Sequence, residues 1–316
     1  MRLLTVTLMI AIAAAAALGQ SQQAPTLRIV SEDGNKLPSE LYYGNVKVKP
    51  LRLRPGTNTP ITINDADFYV TQQYVDFLSR FPDQSGFNFW QSEITNCGSN
   101  SGCVDVKRMH VSAAFFLSIE FTETGFLVYK MHHAAFGNLA GKPVPVRRED
   151  FMPDTRQIGE NLVVGQQGWE GVLNNNKNAF ALAFVQRAKF QTEFPSTMSA
   201  QQFVDKLDSN AGNVLMSSEK ADLVAILGVT PSDFVKRAQV VRQFAENPGL
   251  TQRDKNNAFV LMQYFGYLRR NPDDAPDSNY DGYNFWLGKL NEFSGDFVRA
   301  EMVRAFLVSG EYLNRF

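Results

Sequence analysis

The chain has 316 residues, room for one large domain or two ordinary ones. A hydrophobic content of 44% with 25 phenylalanines is ample for a core. Its 31 basic and 32 acidic residues leave a net charge of −1, which excludes a global field steering it to nucleic acid or anionic lipid.

Residues 1–19 read as a secretory signal peptide. Arg2 is the positive start, Leu3 to Leu18 is an apolar run rich in Ala, and Ala17-Leu18-Gly19 is a small-x-small site. The alternative is an uncleaved anchor, but the run is short for a bilayer span. The expected location is secreted, periplasmic or cell-surface, with no membrane span after cleavage. Residues 20–64 carry LRIV, VKVKPLRLRP and ITI between Gly34, Gly44, Gly56 and several prolines. This alternation predicts a short β or extended N-terminal region of two or three strands.

Residues 65–141 form a first helical unit. Asn64 or Asp65 can cap its first helix. Val70, Tyr74, Phe77, Leu78 and Phe81 recur at helical spacing, and the helix must end before Pro82. A second apolar set follows: Phe87, Trp90 and Ile94. Trp90 is expected in the core between the two helices. Cys97 and Cys103, the only cysteines, flank a Gly/Ser loop. In an exported chain they read as a disulfide; zinc is the alternative, with no nearby His or third Cys to complete its ligand set. Val104 to Phe121 and Glu123 to Phe136 predict further helices, the last stopped by Gly137. His132 and His133 are helix neighbours pointing about 100° apart, so they cannot jointly face one metal. One is expected buried and the other exposed.

Residues 142–168 are punctuated by Pro and Gly and predict a surface connector with little regular structure. Glu149, Asp150 and Asp154 read there as exposed charges. Residues 169–250 hold a degenerate middle helical unit, with Trp169, Val172 and Leu173 echoing the Trp90 helix. Its Phe184 and Phe190 match the end aromatics of a closing element, but the Ser and Glu between them are absent. Phe203 to Leu207, Ala221 to Leu227 and Phe234 to Ala245 are further amphipathic helices.

Residues 251–316 write the first unit again. Phe259 to Trp286 restates Tyr69 to Trp90, with Val70/Val260, Gln73/Gln263, Tyr74/Tyr264, Leu78/Leu268, Arg80/Arg270, Pro82/Pro272 and Asp83/Asp273 matched. A six-residue insertion then separates the copies, and Gly-aromatic-Asn-Phe-Trp closes both. Tyr74, Leu78 and Trp90 are therefore expected to share core roles with Tyr264, Leu268 and Trp286.

The pattern aromatic-x-x-x-Leu-x-Arg-x-Pro-Asp, then Gly-aromatic-x-aromatic-Trp, is followed later by a Ser-x-Glu-aromatic element. That element is Phe306, Leu307, Ser309, Glu311 and Tyr312, with Phe115, Phe116, Ser118, Glu120 and Phe121 as its counterpart. Over roughly residues 65–316 this resembles the bacterial family called domain of unknown function 4214, whose modules look like the phycobilisome linker domain. The resemblance implies linker-like helical units in a secreted bacterial protein, with no assigned reaction. Phycobilisome assembly itself is disfavoured, because those linkers work inside the cell.

One stretch suggests a ligand. Asp277, Asn279, Asp281 and Gly282 match the first half of a calcium loop, but its twelfth position is Gly288, where a bidentate Glu is required. Asp273 and Asp274 crowd the same loop. Its charges need either a weakly held calcium or arginines such as Arg269 and Arg270. No other cofactor is expected. The chain contains no P-loop, dinucleotide fingerprint or GxSxG, and three histidines assemble no catalytic triad. The expectation is an all-α fold of repeated helix-turn-helix modules forming a bundle, with no catalytic residue. Its expected work is protein–protein contact or scaffolding with a protein at the envelope or in the medium, without nucleic acid. The alternatives are a calcium- or carbohydrate-dependent surface adhesion module and an unrecognised hydrolase.

Overall fold

A computed structural model describes residues 27–31, 38–43, 46–48, 52–54 and 56–316. The signal-peptide reading of 1–19 falls outside them. Three short strands come first: β1 (Leu27–Ser31), β2 (Pro38–Tyr43) and β3 (Val46–Val48). They form an antiparallel sheet in the order β1-β2-β3, with Leu27 opposite Tyr43 and Leu41 opposite Val48. Every element named after β3 is a helix, so the fold class is all-α.

Helix Gly125–Phe136 lies at the centre. Every residue from Gly125 to Ala135 is buried. A helix without a solvent face must be covered all round. Helices Arg148–Ile158, Ala200–Asn210, Phe234–Ala245 and Pro248–Gln263 supply that cover. His132 and His133 are therefore both buried, contrary to the expectation of one exposed ring.

The connector is also more regular than expected. Arg148–Ile158 is a helix despite Pro153 inside it. The missing N–H of Pro153 costs one hydrogen bond. Burial of Phe151, Met152, Thr155 and Ile158 offsets that loss. Asp154 lies on the same buried face, at 5% exposure, whereas Glu149 and Asp150 are exposed as read. A further difference is at Ser118, which ends helix Ser101–Leu117 and caps helix Ile119–Glu123, where one continuous helix was expected.

The middle unit keeps the backbone of that break. Helix Trp169–Gln186 stops at Arg187, whose φ of −63° and ψ of 141° resemble those of Ser118 and Ser309. Phe184 and Phe190 on either side are fully buried. The turn thus survives without its serine, held by the two aromatics.

Candidate functional site

The matched segments 69–95 and 259–292 reach the same local geometry. Helix Ala66–Gln73 passes into a wide π-helical turn, Tyr74–Leu78, and ends at Ser79 with φ 53°. Helix Pro248–Gln263 passes into Tyr264–Leu268 and ends at Arg269, also with φ 53°. Left-handed φ at a non-glycine costs about 1–2 kcal/mol. Its recurrence at both ends shows a required turn.

The recurring residues hold that turn. Arg80 grips Glu120 through Nε and Nη2, both at 2.7 Å. Arg270 grips Glu311 in the same fork, at 2.6 and 3.1 Å. Each guanidinium also covers its own tyrosine, Arg80 over Tyr74 and Arg270 over Tyr264. Ser118 and Ser309 cap the closing helices, accepting from the N–H groups of Phe121 and Tyr312. So in the Ser-x-Glu element Ser caps and Glu receives the arginine. Gly86 and Gly282 are glycine for one reason: a Cβ would stand 2.1 Å from the Tyr74 hydroxyl in one copy and 2.6 Å from that of Tyr264 in the other.

The two segments meet through their π turns. Phe77 packs edge-on against its own counterpart, Tyr267, with ring centroids 5.1 Å apart. Gly266 makes room for the Phe77 ring, which a Cβ would approach to 2.7 Å. Asp76, the match of Gly266, has a fully buried side chain and accepts from Arg269 and Arg315. Burial alone pushes its carboxyl pKa up, but the two guanidiniums outweigh this and hold it below the usual value.

The tyrosines take the expected core places, Tyr74 and Tyr264 being 4% and 3% exposed. Leu78, Leu268, Trp90 and Trp286 do not: all four are half-buried against the core edge. Indole size suggested full burial, yet each Trp sits at the rim, against Phe115 or Phe306 at 5.7 and 5.9 Å. Phe81, counted in the helical set, lies beyond the helix end and is exposed. Outside each Trp stands a phenylalanine in water. Phe89 is 55% exposed and Phe285 56%. Their rings lie edge-on to Trp90 and Trp286, at 4.8 Å and 74°, and at 5.0 Å and 76°. Leu117 and its match Val308 are exposed as well. Sequence reasoning missed these phenylalanines, although Asn-Phe-Trp occurs in both copies.

The calcium candidates have other partners. Asp277 accepts from Arg270 at 2.7 Å, and Asn279 and Asp281 bond to each other. Arg147 binds Asp273 and Asp274, and Lys142 also reaches Asp273. Asp273, Asp274 and Asp277 are thus paired with basic side chains while Asp281 bonds only Asn279, and among the described residues no three His, Cys, Asp or Glu converge on a metal position. Cys97 and Cys103 form the expected disulfide, with Cα atoms 5.6 Å apart. A loop this short gives only about 2–2.5 kcal/mol through chain entropy.

Buried polar residues outside the matched segments were also missed. His132 pairs with Asp154 at 2.9 Å, and Arg187 forks onto the same carboxylate at 2.6 and 2.8 Å. His133 pairs with Asp254 at 2.7 Å. Lys130 donates to Thr251, and burial lowers its pKa to about 8. Each contact ties the central helix to a different neighbour or a different turn of one. The available signal was placement: Phe151, Asp154, Thr155 and Ile158 follow the spacing of a buried helix face.

These features define a class, an all-α protein with two matched, outward-facing aromatic pairs. No family model matches the chain, and neither a curated protein nor a solved structure does. Among the described residues, no single helix is long and apolar enough to cross a membrane.

Proposed function

We propose that this chain is a secreted, non-enzymatic helical-repeat protein that makes protein–protein contacts at or outside the cell envelope. Membership among the linker-like modules it resembles is part of the same proposal. The observation that carries it is the pair Phe89–Trp90, repeated in the same geometry as Phe285–Trp286. A lone exposed Phe needs no explanation. The same exposed Phe, braced by the same half-buried Trp at two matched positions, is the form of an interface anchor. A disulfide between the only two cysteines supports an oxidising compartment.

The test is a pull-down from envelope and culture-medium fractions, comparing the wild type with a Phe89→Ala, Phe285→Ala double variant of unchanged circular dichroism. Proteins retained by the wild type and lost with the variant support the reading. Identical retention by both removes it.

A further inference from the structure

We propose that the contact between the central helix, Gly125–Phe136, and helix Pro248–Gln263 is a pH-sensitive latch, closed when Lys130 is uncharged and loosened when it carries its proton. Such a latch works whatever the aromatic pairs touch.

Two rungs, one helical turn apart, make the contact. Lys130 donates to Thr251 Oγ1 at 2.8 Å, and His133 pairs with Asp254 at 2.7 Å. Lys130, His133 and Asp254 are all buried, at 5%, 9% and 2% exposure. Thr251 gives its own hydroxyl proton to the carbonyl of Asn247, so towards Lys130 it only accepts. Among the described residues Lys130 is therefore a buried ammonium whose one hydrogen bond goes to a neutral oxygen. Its other support is the face of the Phe126 ring, 4.7 Å from the nitrogen.

The carboxylates around it are taken. Glu123 and Glu246 both bind Lys177, and Asp254 binds His133. Tyr129 and Tyr283 stay protonated, because burial pushes both hydroxyls up. The other helices packed on the central one bring Asp154 with Arg187, Lys189 and Asp208. Asp154 and Arg187 are engaged with His132, Lys189 with the Phe136 ring and Asp208 with Lys220. The field of Glu123, Glu246 and Asp254 favours the ammonium, but burial outweighs it and pushes Lys130 from 10.5 down to about 8.

The sign follows from that order. The folded value lies below the unfolded one, so the folded chain sheds this proton first as pH rises. The added stability is absent well below pH 8, grows between about 8 and 10.5, and is complete above that window. From pH 7 to pH 9 the folding equilibrium should gain about tenfold from this one group.

Three measurements on the purified chain test the latch. In a lysine-labelled NMR titration, the Cε resonance of Lys130 should change with a midpoint near 8. A midpoint near the ordinary 10.5 overturns the proposal without any variant. In urea unfolding at pH 7 and pH 9, the wild type should gain about tenfold in its folding equilibrium relative to Lys130→Met. The comparison cancels every other titrating group, and an equal pH response in both chains overturns the proposal. In hydrogen exchange corrected for intrinsic rates, amides of 125–136 and 248–258 should open less often at pH 9 than at pH 7 in the wild type alone. Helix Ser217–Leu227, packed on helices Ala200–Asn210 and Phe234–Ala245, is the control. An equal change there shows a global effect and overturns the latch.

Discussion

The carboxylate of Asp76 accepts from Arg315 at 2.8 and 2.9 Å, across 239 residues of chain. Arg315 also donates to the carbonyls of Gly266 and Tyr267, at 3.1 and 2.6 Å. One side chain near the C-terminus therefore joins the π turn of the first matched segment to that of the second. Arg269, held at positive φ, adds a second guanidinium to the same carboxylate.

Asp76→Asn leaves two arginines facing a neutral amide in a buried site. The expected cost is about 3–5 kcal/mol. Because the folded-state pKa of Asp76 is depressed, its stabilisation is full above the unfolded value, about 4, and is lost as pH falls through the lower folded value. The stability gap between wild type and Asp76→Asn, measured by urea unfolding, should be constant near neutrality and shrink below about pH 4. A gap unchanged down to strongly acid pH would contradict the ion-pair account.

Gly86→Ala drives a Cβ onto the Tyr74 hydroxyl. The expected loss is about 1–3 kcal/mol. In a Tyr74→Phe background the clash is gone, and the helix propensity of Ala should return up to about 1 kcal/mol. A double-mutant cycle should therefore show clear coupling. The same cycle at Gly282 and Tyr264 should behave alike. Additive effects would mean that the glycines serve something other than the tyrosine hydroxyl.

Local pattern explains what was legible in the sequence. Pro82 and Pro272 announced helix ends, Gly137 announced a stop, and the pair Cys97 and Cys103 announced its bond. Apolar spacing gave the all-α class. What escaped depends on tertiary partners. The Arg80–Glu120 fork joins residues 40 apart, so the recurrence of each was visible while their contact was not. Asp154 and Asp254 were hidden inside helix faces otherwise apolar, because a charge reads as solvated until a buried His is brought to it. Trp90 and Trp286 were misplaced in the core because ring size alone cannot tell a rim from an interior. Phe89 and Phe285 were overlooked for the complementary reason: an aromatic beside Trp reads as more core.

At the acidic loop, thermal melts in millimolar calcium and in chelator should superimpose. Asp273, Asp274 and Asp277 are already neutralised by Lys142, Arg147 and Arg270. Arg147→Ala should lower the melting temperature, because it strips Asp273 and Asp274 of a shared cation. Both carboxylates keep some exposure, so a loss of about 1–2 kcal/mol is expected. A calcium-dependent rise in the wild-type melt would restore the metal reading of Asp277, Asn279 and Asp281.

The central claim is that Phe89 and Phe285 are contact residues. A photo-cross-linking phenylalanine analogue placed at 89 or at 285 in the producing cell tests it directly. Val229, 98% exposed and far along the chain from either pair, serves as the control position. The account predicts protein adducts at 89 and 285 and none at 229. No adduct at either phenylalanine, or equal labelling at all three positions, would contradict it.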